Sequence, residues 1–187
     1  VMGVPGVPGS TVIVQHMTLW IGFLGAIIAA RESRLLSLTK PVEIEIDERK
    51  GFSYWFARSV AVTVSLILAY ASFILVKTES EYPRDILPGI PVWVVEVIMP
   101  LGFFLIAMEM LRTSKKEPVF RALLIAIPIV IGAIGLGETL QTPVVLWVGV
   151  FAVILSLAFG APIFIGLGGL AVLFFWHDGV PIAAVPA

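Results

Sequence analysis

The chain has 187 residues, of which 59% are hydrophobic and 13% are charged. An average soluble domain has about 45–50% apolar and about 25% charged residues, so this composition excludes an ordinary soluble fold and indicates a lipid environment. A net charge of −1 gives no electrostatic support for nucleic-acid binding. The absence of cysteine excludes disulfides, thiolate metal ligands and cysteine nucleophiles.

Long apolar runs predict an all-α, multi-pass transmembrane bundle of about five or six helices. Residues 1–11 are rich in Gly and Pro and cannot form a helix interior. The first apolar segment runs from about Val12 to Ala30 and ends at a charged stop that begins with Arg31. Residues 37–52 form a polar connection, in which acidic and apolar residues alternate over 42–47. This alternation fits a short strand, but we favour a surface loop.

The second and third apolar segments enclose a short polar loop. The second spans about Tyr54 to Val76, and the aromatic residues at its start fit the belt at a membrane interface. Residues 77–91 form a loop with charges of both signs and three prolines. The third segment runs from Pro91 to Leu111. Pro100 lies in the middle of this segment and predicts a kink.

Two further apolar regions fit a simple span less well. The fourth segment, Ala122 to Gly137, is shorter than the about 20 residues that an upright span needs. It either crosses a thin region or lies tilted against protein. Residues 144–176 are almost wholly apolar, too long for one upright span and too short for two generous ones. We predict two short helices joined at Gly160-Ala161-Pro162, with one kinked helix as the alternative.

The distribution of Lys and Arg predicts the orientation, because these residues concentrate in short cytoplasmic loops. Six of them lie within residues 31–58 and four within 112–121, whereas the loop 77–91 has two. We therefore place residues 31–53 and 112–121 in the cytoplasm, and residues 1–11 and 77–91 outside. A start outside implies a preceding helix, and the sequence stops at Ala187 immediately after an apolar run. We therefore expect a natural polypeptide that extends beyond both ends of this sequence.

Polar or ionisable residues inside a span are costly in lipid and are candidates for function. Gln15 and His16 lie near the outer end of the first segment. They either contact a partner subunit or relay protons, or they form an interfacial pair that faces water and headgroups, which we favour. Glu96 lies near the outer end of the third segment, and Pro100 lacks the N–H that would bind its carbonyl. A carboxylate hydrated at the outer surface is the favoured interpretation of Glu96.

Small residues recur at helical spacing, and such residues let helix backbones approach closely in lipid. They are Gly22, Gly25, Ala26, Ala29 and Ala30 in the first segment, Gly132 and Gly135 in the fourth, and Gly166, Gly168 and Gly169 in the last. No Ser/His/Asp set, metal-ligand spacing or nucleotide-binding motif is present in the sequence. We therefore predict that the chain is not an enzyme, and we assign it no catalytic, cofactor or metal residues.

Several specific stretches follow one another in a fixed order. The first segment contains Gly9-Ser10-Thr11, Gln15-His16-Met17-Thr18-Leu19-Trp20, Gly22-Phe23-Leu24-Gly25-Ala26, Ala30-Arg31-Glu32 and Leu35-Leu36-Ser37-Leu38. The third contains Pro88-Gly89-Ile90-Pro91-Val92-Trp93 and Met99-Pro100-Leu101-Gly102-Phe103. These stretches resemble the small membrane subunit of tripartite ATP-independent periplasmic (TRAP) transporters. The region from about Val144 to Pro181, which includes Gly160-Ala161-Pro162-Ile163-Phe164, is similar to the start of the large permease subunit of that family.

The resemblance implies a fused small-plus-large permease polypeptide in a bacterial cytoplasmic (inner) membrane. Residues 1–118 would be a small-subunit (DctQ-like) scaffold without its first helix. Residues 119–142 would be a linking helix, and residues 143–187 would begin a large-subunit (DctM-like) permease domain.

The same resemblance implies a secondary transporter that takes up organic acids, with carboxylates expected, by means of a sodium gradient. The implied partners are the lipid bilayer, the remainder of the large permease subunit, an extracytoplasmic solute-binding protein and a small organic acid. The sodium and substrate sites would lie beyond Ala187. A non-transport integral-membrane scaffold or assembly protein is the alternative function.

Overall fold

The computed structural model describes residues 10–32, 34–37, 52–87, 89–113 and 142–186. The helices are α1 (Ser10–Arg31), α2 (Phe52–Glu81), α3 (Val92–Glu96), α4 (Ile98–Thr113), α5 (Pro143–Ala158) and α6 (Ile163–His177), followed by a 3₁₀ turn at Ile182–Ala184. The strands are β1 (Asp85–Leu87) and β2 (Ile90–Pro91). Most of the predicted connection 37–52 and all of the predicted fourth segment lie outside the described residues.

Within the described residues, three helical stretches are long and apolar enough to cross a membrane, by length and composition. They are Ile13–Arg31, Ser53–Glu81 and Val92–Arg112, and two shorter apolar helices, α5 and α6, follow. The predicted all-α transmembrane bundle is thereby confirmed. The second helix continues through residues 77–81, which the sequence had placed in a loop. Lys and Glu are good helix formers, so the helix extends beyond the point where its apolar run stops.

α2 is the central helix of the bundle. It packs against α4, α5 and α6, whereas α1 packs mainly against α4. Within the apolar window of each span, 61% of α2 is buried, compared with 28% for α3 and α4 together and 6% for α1. The core joins Ala61, Val62 and Leu68 of α2 to Ile106 of α4 and Ile165 of α6. Neighbouring helices therefore cover α2 on several sides and leave most of α1 open.

An arginine on α2 caps the end of α4. The Arg58 guanidinium donates to the Met110 carbonyl from Nε at 2.9 Å and from Nη2 at 2.6 Å. Met110 lies in the last turn of α4, where backbone carbonyls have no partner within the helix. A cation also interacts favourably with the negative end of the helix dipole. Arg58 thus fixes the end of α4 against the beginning of α2.

The turn between α5 and α6 lies at this same end of the bundle. The rings of Phe56 on α2 and Phe159 meet edge to face, with centroids 6.1 Å apart. The Ile163 N–H donates to the Leu36 carbonyl, just after α1, at 2.9 Å. We call this end the inner end, because the charge distribution predicts that it is cytoplasmic. The opposite end, where α2 stops and α3 begins, is the outer end.

The two-helix prediction for residues 144–176 is confirmed. Gly160, between α5 and α6, has φ +92°, a conformation that glycine adopts without steric cost. Thr142 caps α5, since its hydroxyl accepts from the Val145 N–H at 3.4 Å. The helices have 16 and 15 residues, which corresponds to lengths of about 24 and about 22 Å. Both are shorter than the about 30 Å of a bilayer's hydrocarbon core.

Only some of the small residues lie at close helix contacts. A Cβ atom added at Gly169 of α6 would lie 3.2 Å from Val153 Cγ2 of α5 and 3.2 Å from Val64 Cγ2 of α2. At Gly22 and Gly25 of α1, no described atom beyond the local chain lies within 4 Å of the same position. Close packing through glycine is therefore confirmed for α6, whereas these two glycines of α1 face open surroundings.

The third predicted span is interrupted at Val97, between α3 and α4. Pro100 stands three residues later, and its nitrogen cannot donate to the Glu96 carbonyl. Val97 itself keeps a right-handed helical conformation, with φ −53° and ψ −23°. The Leu101 N–H reaches the Val97 carbonyl at 3.4 Å. The sequence predicted a kink from Pro100. The structure shows a missing hydrogen bond at the Glu96 carbonyl, while Val97 keeps helical backbone angles.

Candidate functional site

Two of the three polar residues predicted from the sequence come together at the outer end. His16 lies in the second turn of α1, and Glu96 is the last residue of α3. The two side chains interact electrostatically, and Glu79 of α2 and Arg84 also act on the Glu96 carboxyl. Gln15 is exposed and points about 100° away from His16 around α1. The outer cluster therefore consists of His16, Glu79, Arg84 and Glu96.

A bidentate ion pair holds the outer end of α2 to the loop that follows it. Arg84 Nε donates to Glu79 Oε2 at 3.2 Å, and Arg84 Nη2 donates to Glu79 Oε1. These hydrogen bonds raise the pKa of the Arg84 guanidinium further above its usual value. The Arg84 side chain is 73% exposed, whereas that of Glu79 is 18% exposed. The pair thus anchors a surface loop to a largely covered carboxylate.

A small hairpin carries Arg84 into position. β1 and β2 pair in an antiparallel manner, and Gly89 between them has φ +88°. The Val92 N–H donates to the Arg84 carbonyl at 2.8 Å and closes the hairpin at the start of α3. The sequence predicted only a loop over residues 77–91. Gly89 was the available signal in the sequence, because tight hairpin turns need a positive φ and glycine adopts it readily.

Glu96 combines a charge with a buried oxygen. Its Oε2 atom is buried and has no hydrogen-bond partner among the described residues. Most buried side-chain polar atoms are hydrogen-bonded, so each exception requires an explanation. The favoured interpretation from sequence was a carboxylate close enough to the outer surface to stay hydrated. The structure instead shows a half-buried Glu96 with one oxygen excluded from solvent.

Trp20 connects α1 to the interrupted span. Its indole Nε1–H donates to the Val95 carbonyl, one residue before Glu96, at 2.9 Å. A tryptophan in an apolar environment needs a partner for this N–H, and the Val95 carbonyl supplies it. No individual role was predicted for Trp20 from the sequence. The indole donor was visible in the sequence, but Pro100 frees the carbonyl of Glu96 and not that of Val95, so only folding shows which carbonyl the indole meets.

An apolar groove opens beside the cluster. It has a volume of about 370 Å³ and lies between the outer half of α1 and the hairpin with the start of α3. Its lining residues are Ile13, His16, Met17, Trp20, Ile21, Ile86, Ile90 and Val95. We call it the outer groove. His16 belongs to both the groove and the cluster, and Val95 is adjacent to Glu96 in the chain, so the charged groups lie at the edge of an apolar surface.

This arrangement fits recognition of a partner at the outer end better than bond-making chemistry. No group of three or more His, Asp or Glu side chains suited to a metal ion occurs among the residues that the structure describes. The cluster offers one exposed cation and two partly covered carboxylates next to an apolar groove. Such a surface can bind a group that is apolar along its length and charged at its end.

Comparison with known proteins identifies the family. The family described as "Tripartite ATP-independent periplasmic transporters, DctQ component" matches residues 1–116. No curated protein and no solved structure matches the chain. The matched region includes α1 to α4 and every residue of the outer cluster. The chain therefore belongs to the DctQ family, a family of membrane components of TRAP transporters and not of enzymes.

Proposed function

We propose that the chain is the scaffold part of a TRAP-type secondary transporter that takes up organic acids, with carboxylates as the expected class. The proposal rests above all on the family match over residues 1–116. A sodium gradient drives uptake, and an extracytoplasmic solute-binding protein delivers the substrate to the outer face. These details follow from the resemblance described above. Sodium is the cofactor of the complete transporter, and its site lies outside this chain.

We further propose that residues 143–187 begin a large (DctM-like) permease domain, joined to the scaffold through residues 119–142. The family match ends at residue 116, yet α5 and α6 pack against α2 as part of one bundle. α5 and α6 are each too short for an upright span, which is consistent with their being only the first part of a larger permease domain. The scaffold role agrees with the central position of α2, which contacts both the DctQ-like α4 and the following α5 and α6.

A reconstitution experiment tests the transport proposal. The complete transporter is placed in liposomes, and uptake of a labelled organic acid that the cognate binding protein retains is measured. Uptake should require both the binding protein and an inward sodium gradient, and an equal potassium gradient is the matched control. Uptake that is independent of the binding protein would contradict the TRAP assignment. An absence of any uptake, in liposomes where the complex is intact, would favour the non-transport scaffold.

A further inference from the structure

Two exposed arginines end the two helices that pack side by side from the outer to the inner end. Arg31 lies in the last turn of α1 and Arg112 in the last turn of α4. Part-way along these helices, the rings of Phe23 and Phe103 meet edge to face, with centroids 4.9 Å apart. Arg31 follows Phe23 by about 12 Å along α1, and Arg112 follows its α4 counterpart by about 14 Å. The two arginines therefore reach the inner end at nearly the same depth.

Helical rotation puts both arginines on the same side of the α1–α4 pair. Phe23 lies against Gly102 of α4, so these two positions mark the line of contact. Seen from the outer end, each helix turns clockwise by about 100° per residue. Arg31 is rotated about 80° clockwise from Phe23, and Arg112 about 80° anticlockwise from Gly102. Because the two contacting faces are opposed, both rotations point the same way. Met110, about 80° clockwise from Gly102, points the other way, into the core with α2.

Exposed apolar side chains lead along both helices to the two arginines. They are Leu24 and Ile28 on α1, and Leu101, Leu105 and Met108 on α4. The distance along α4 from Leu101 to Arg112 is about 16 Å, and one leaflet of the hydrocarbon core is about 15 Å deep. The two helices thus present an apolar face with the height of one leaflet and two guanidinium groups at its inner edge.

The other charged groups that the structure describes beside these arginines are engaged elsewhere. Arg58 donates to the Met110 carbonyl and lies between α2 and α4. Arg34 and Glu32 form an ion pair of their own, in which Nε lies 3.6 Å from Oε2. The chain that follows Arg34 turns toward α6, where the Leu36 carbonyl accepts from a backbone N–H. These groups therefore do not occupy the exposed face of α1 and α4.

Arg31 and Arg112 keep hydrogen-bond donors that face the membrane. Of the described carboxylates, only Glu109 comes within 4 Å of either guanidinium. Its Oε2 lies 3.7 Å from Arg112 Nη1, which is longer than a normal hydrogen bond. The Glu109 side chain is 17% exposed and that of Arg112 is 73% exposed, so the guanidinium extends beyond the carboxylate. Two cations therefore share one mostly covered anion at this edge.

We propose that Arg31 and Arg112 bind the phosphate of an anionic phospholipid in the leaflet at the inner end, with its acyl chains along the exposed face of α1 and α4. The planar guanidinium donates two parallel hydrogen bonds to a phosphate, and basic sites between membrane helices bind anionic headgroups. A zwitterionic lipid would bring its own cation beside two guanidinium groups, and like charges repel. A phosphoglycerol headgroup has a phosphate and no cation, so it fits.

The consequence concerns α1, the span with the least cover. Only 6% of its apolar window is buried within the chain, and a lipid that contacts both Arg31 and Arg112 would hold its inner end against α4. This role does not depend on the transported substrate.

Photoactivatable lipids test the proposal in vesicles that contain the complete transporter. The vesicles consist of phosphatidylcholine with a small fraction of a lipid that carries a diazirine in its acyl chain. This labelled lipid is phosphatidylglycerol in one arm and phosphatidylcholine in the other, with the same acyl chains. After illumination, peptide mass spectrometry locates the adducts. Arg31→Gln/Arg112→Gln removes both guanidinium groups, and Arg34→Gln is the matched control, because it removes an exposed guanidinium at the same end.

We expect phosphatidylglycerol to label residues 24–28 and 101–108 in excess over phosphatidylcholine, by a factor of about five for each arginine. The excess should disappear in Arg31→Gln/Arg112→Gln and persist in Arg34→Gln. It should also persist in Arg31→Lys/Arg112→Lys, which keeps both charges. Equal labelling by the two lipids, an absence of adducts on these residues, an excess that survives the double glutamine variant, or an equal loss in Arg34→Gln would each overturn the proposal.

Discussion

Replacing Gly169 with leucine tests how α6 is held against two helices at once. A Cβ atom at this position would lie 3.2 Å from a methyl group of Val153 on α5 and 3.2 Å from a methyl group of Val64 on α2. Both neighbours are β-branched and have restricted side-chain rotation in a helix. Because they belong to different helices, both α5 and α2 must give way to an added side chain. The leucine can be accommodated only if the helices separate.

The expected cost follows from overpacking, which typically destabilises a well-packed core by about 1–3 kcal/mol. Gly25→Leu is the matched control, because no described atom beyond the local chain lies within 4 Å of a Cβ at that position. There the substitution should gain stability by up to about 1 kcal/mol, since leucine is a better helix former than glycine. The two variants should therefore differ by about 1–4 kcal/mol in the free energy of unfolding.

Equilibrium unfolding in mixed detergent micelles, followed by tryptophan fluorescence, measures both variants against the unchanged chain. Gly169→Leu should unfold at a lower denaturant concentration than the unchanged chain, and Gly25→Leu should not. Equal destabilisation by the two substitutions would refute the reasoning, because it would show that α1 is packed as closely as α6. A destabilisation confined to Gly25→Leu would refute it as well.

Three further predictions use the same bundle. Arg58→Met should destabilise the chain by about 1.5–3 kcal/mol, because hydrogen bonds from a charged donor are lost; Arg58→Lys should lose less, and equal losses would contradict the capping role. Trp20→Phe keeps an aromatic ring but removes the indole donor, and should lower the free energy of unfolding by about 0.5–1.5 kcal/mol in the same titration. An unchanged free energy would show that the bond to Val95 contributes nothing. A cysteine introduced by Asp85→Cys should react with a membrane-impermeant maleimide only from outside, and one introduced by Ala158→Cys only from the cytoplasm. The reverse labelling would contradict the orientation inferred from Lys and Arg.

The positions of the helices were largely predictable, because helix position depends on properties that are read along the chain. A run of apolar residues long enough for a span is a local feature, and α1, α2 and the α3–α4 span correspond to such runs. The break at Gly160 was equally local, since glycine and proline act on their own backbone. The end of α2 was misplaced because hydropathy marks where the apolar run stops, whereas a helix of Lys and Glu can continue into water.

Half of the outer cluster was also visible in the sequence. His16 and Glu96 stand out because ionisable groups are rare in spans. Glu79 and Arg84 did not stand out, since charged residues in a polar loop are ordinary. Their participation depends on the continuation of α2 and on the hairpin that turns Arg84 back onto Glu79. Sequence spacing alone does not connect residues on four separate elements.

The sequence by itself predicted the apolar helices that the structure describes and the residues that are costly in lipid, and it supplies a prediction of their orientation. Only the tertiary structure decided that α2 is central, that Gly169 rather than Gly25 lies in a close contact, and that the Trp20 indole meets the Val95 carbonyl. The physical reason is that helices in lipid are apolar on every face. Hydrophobicity drives them into the membrane, but it does not select which faces meet, so lateral packing depends on shape and on a few polar contacts.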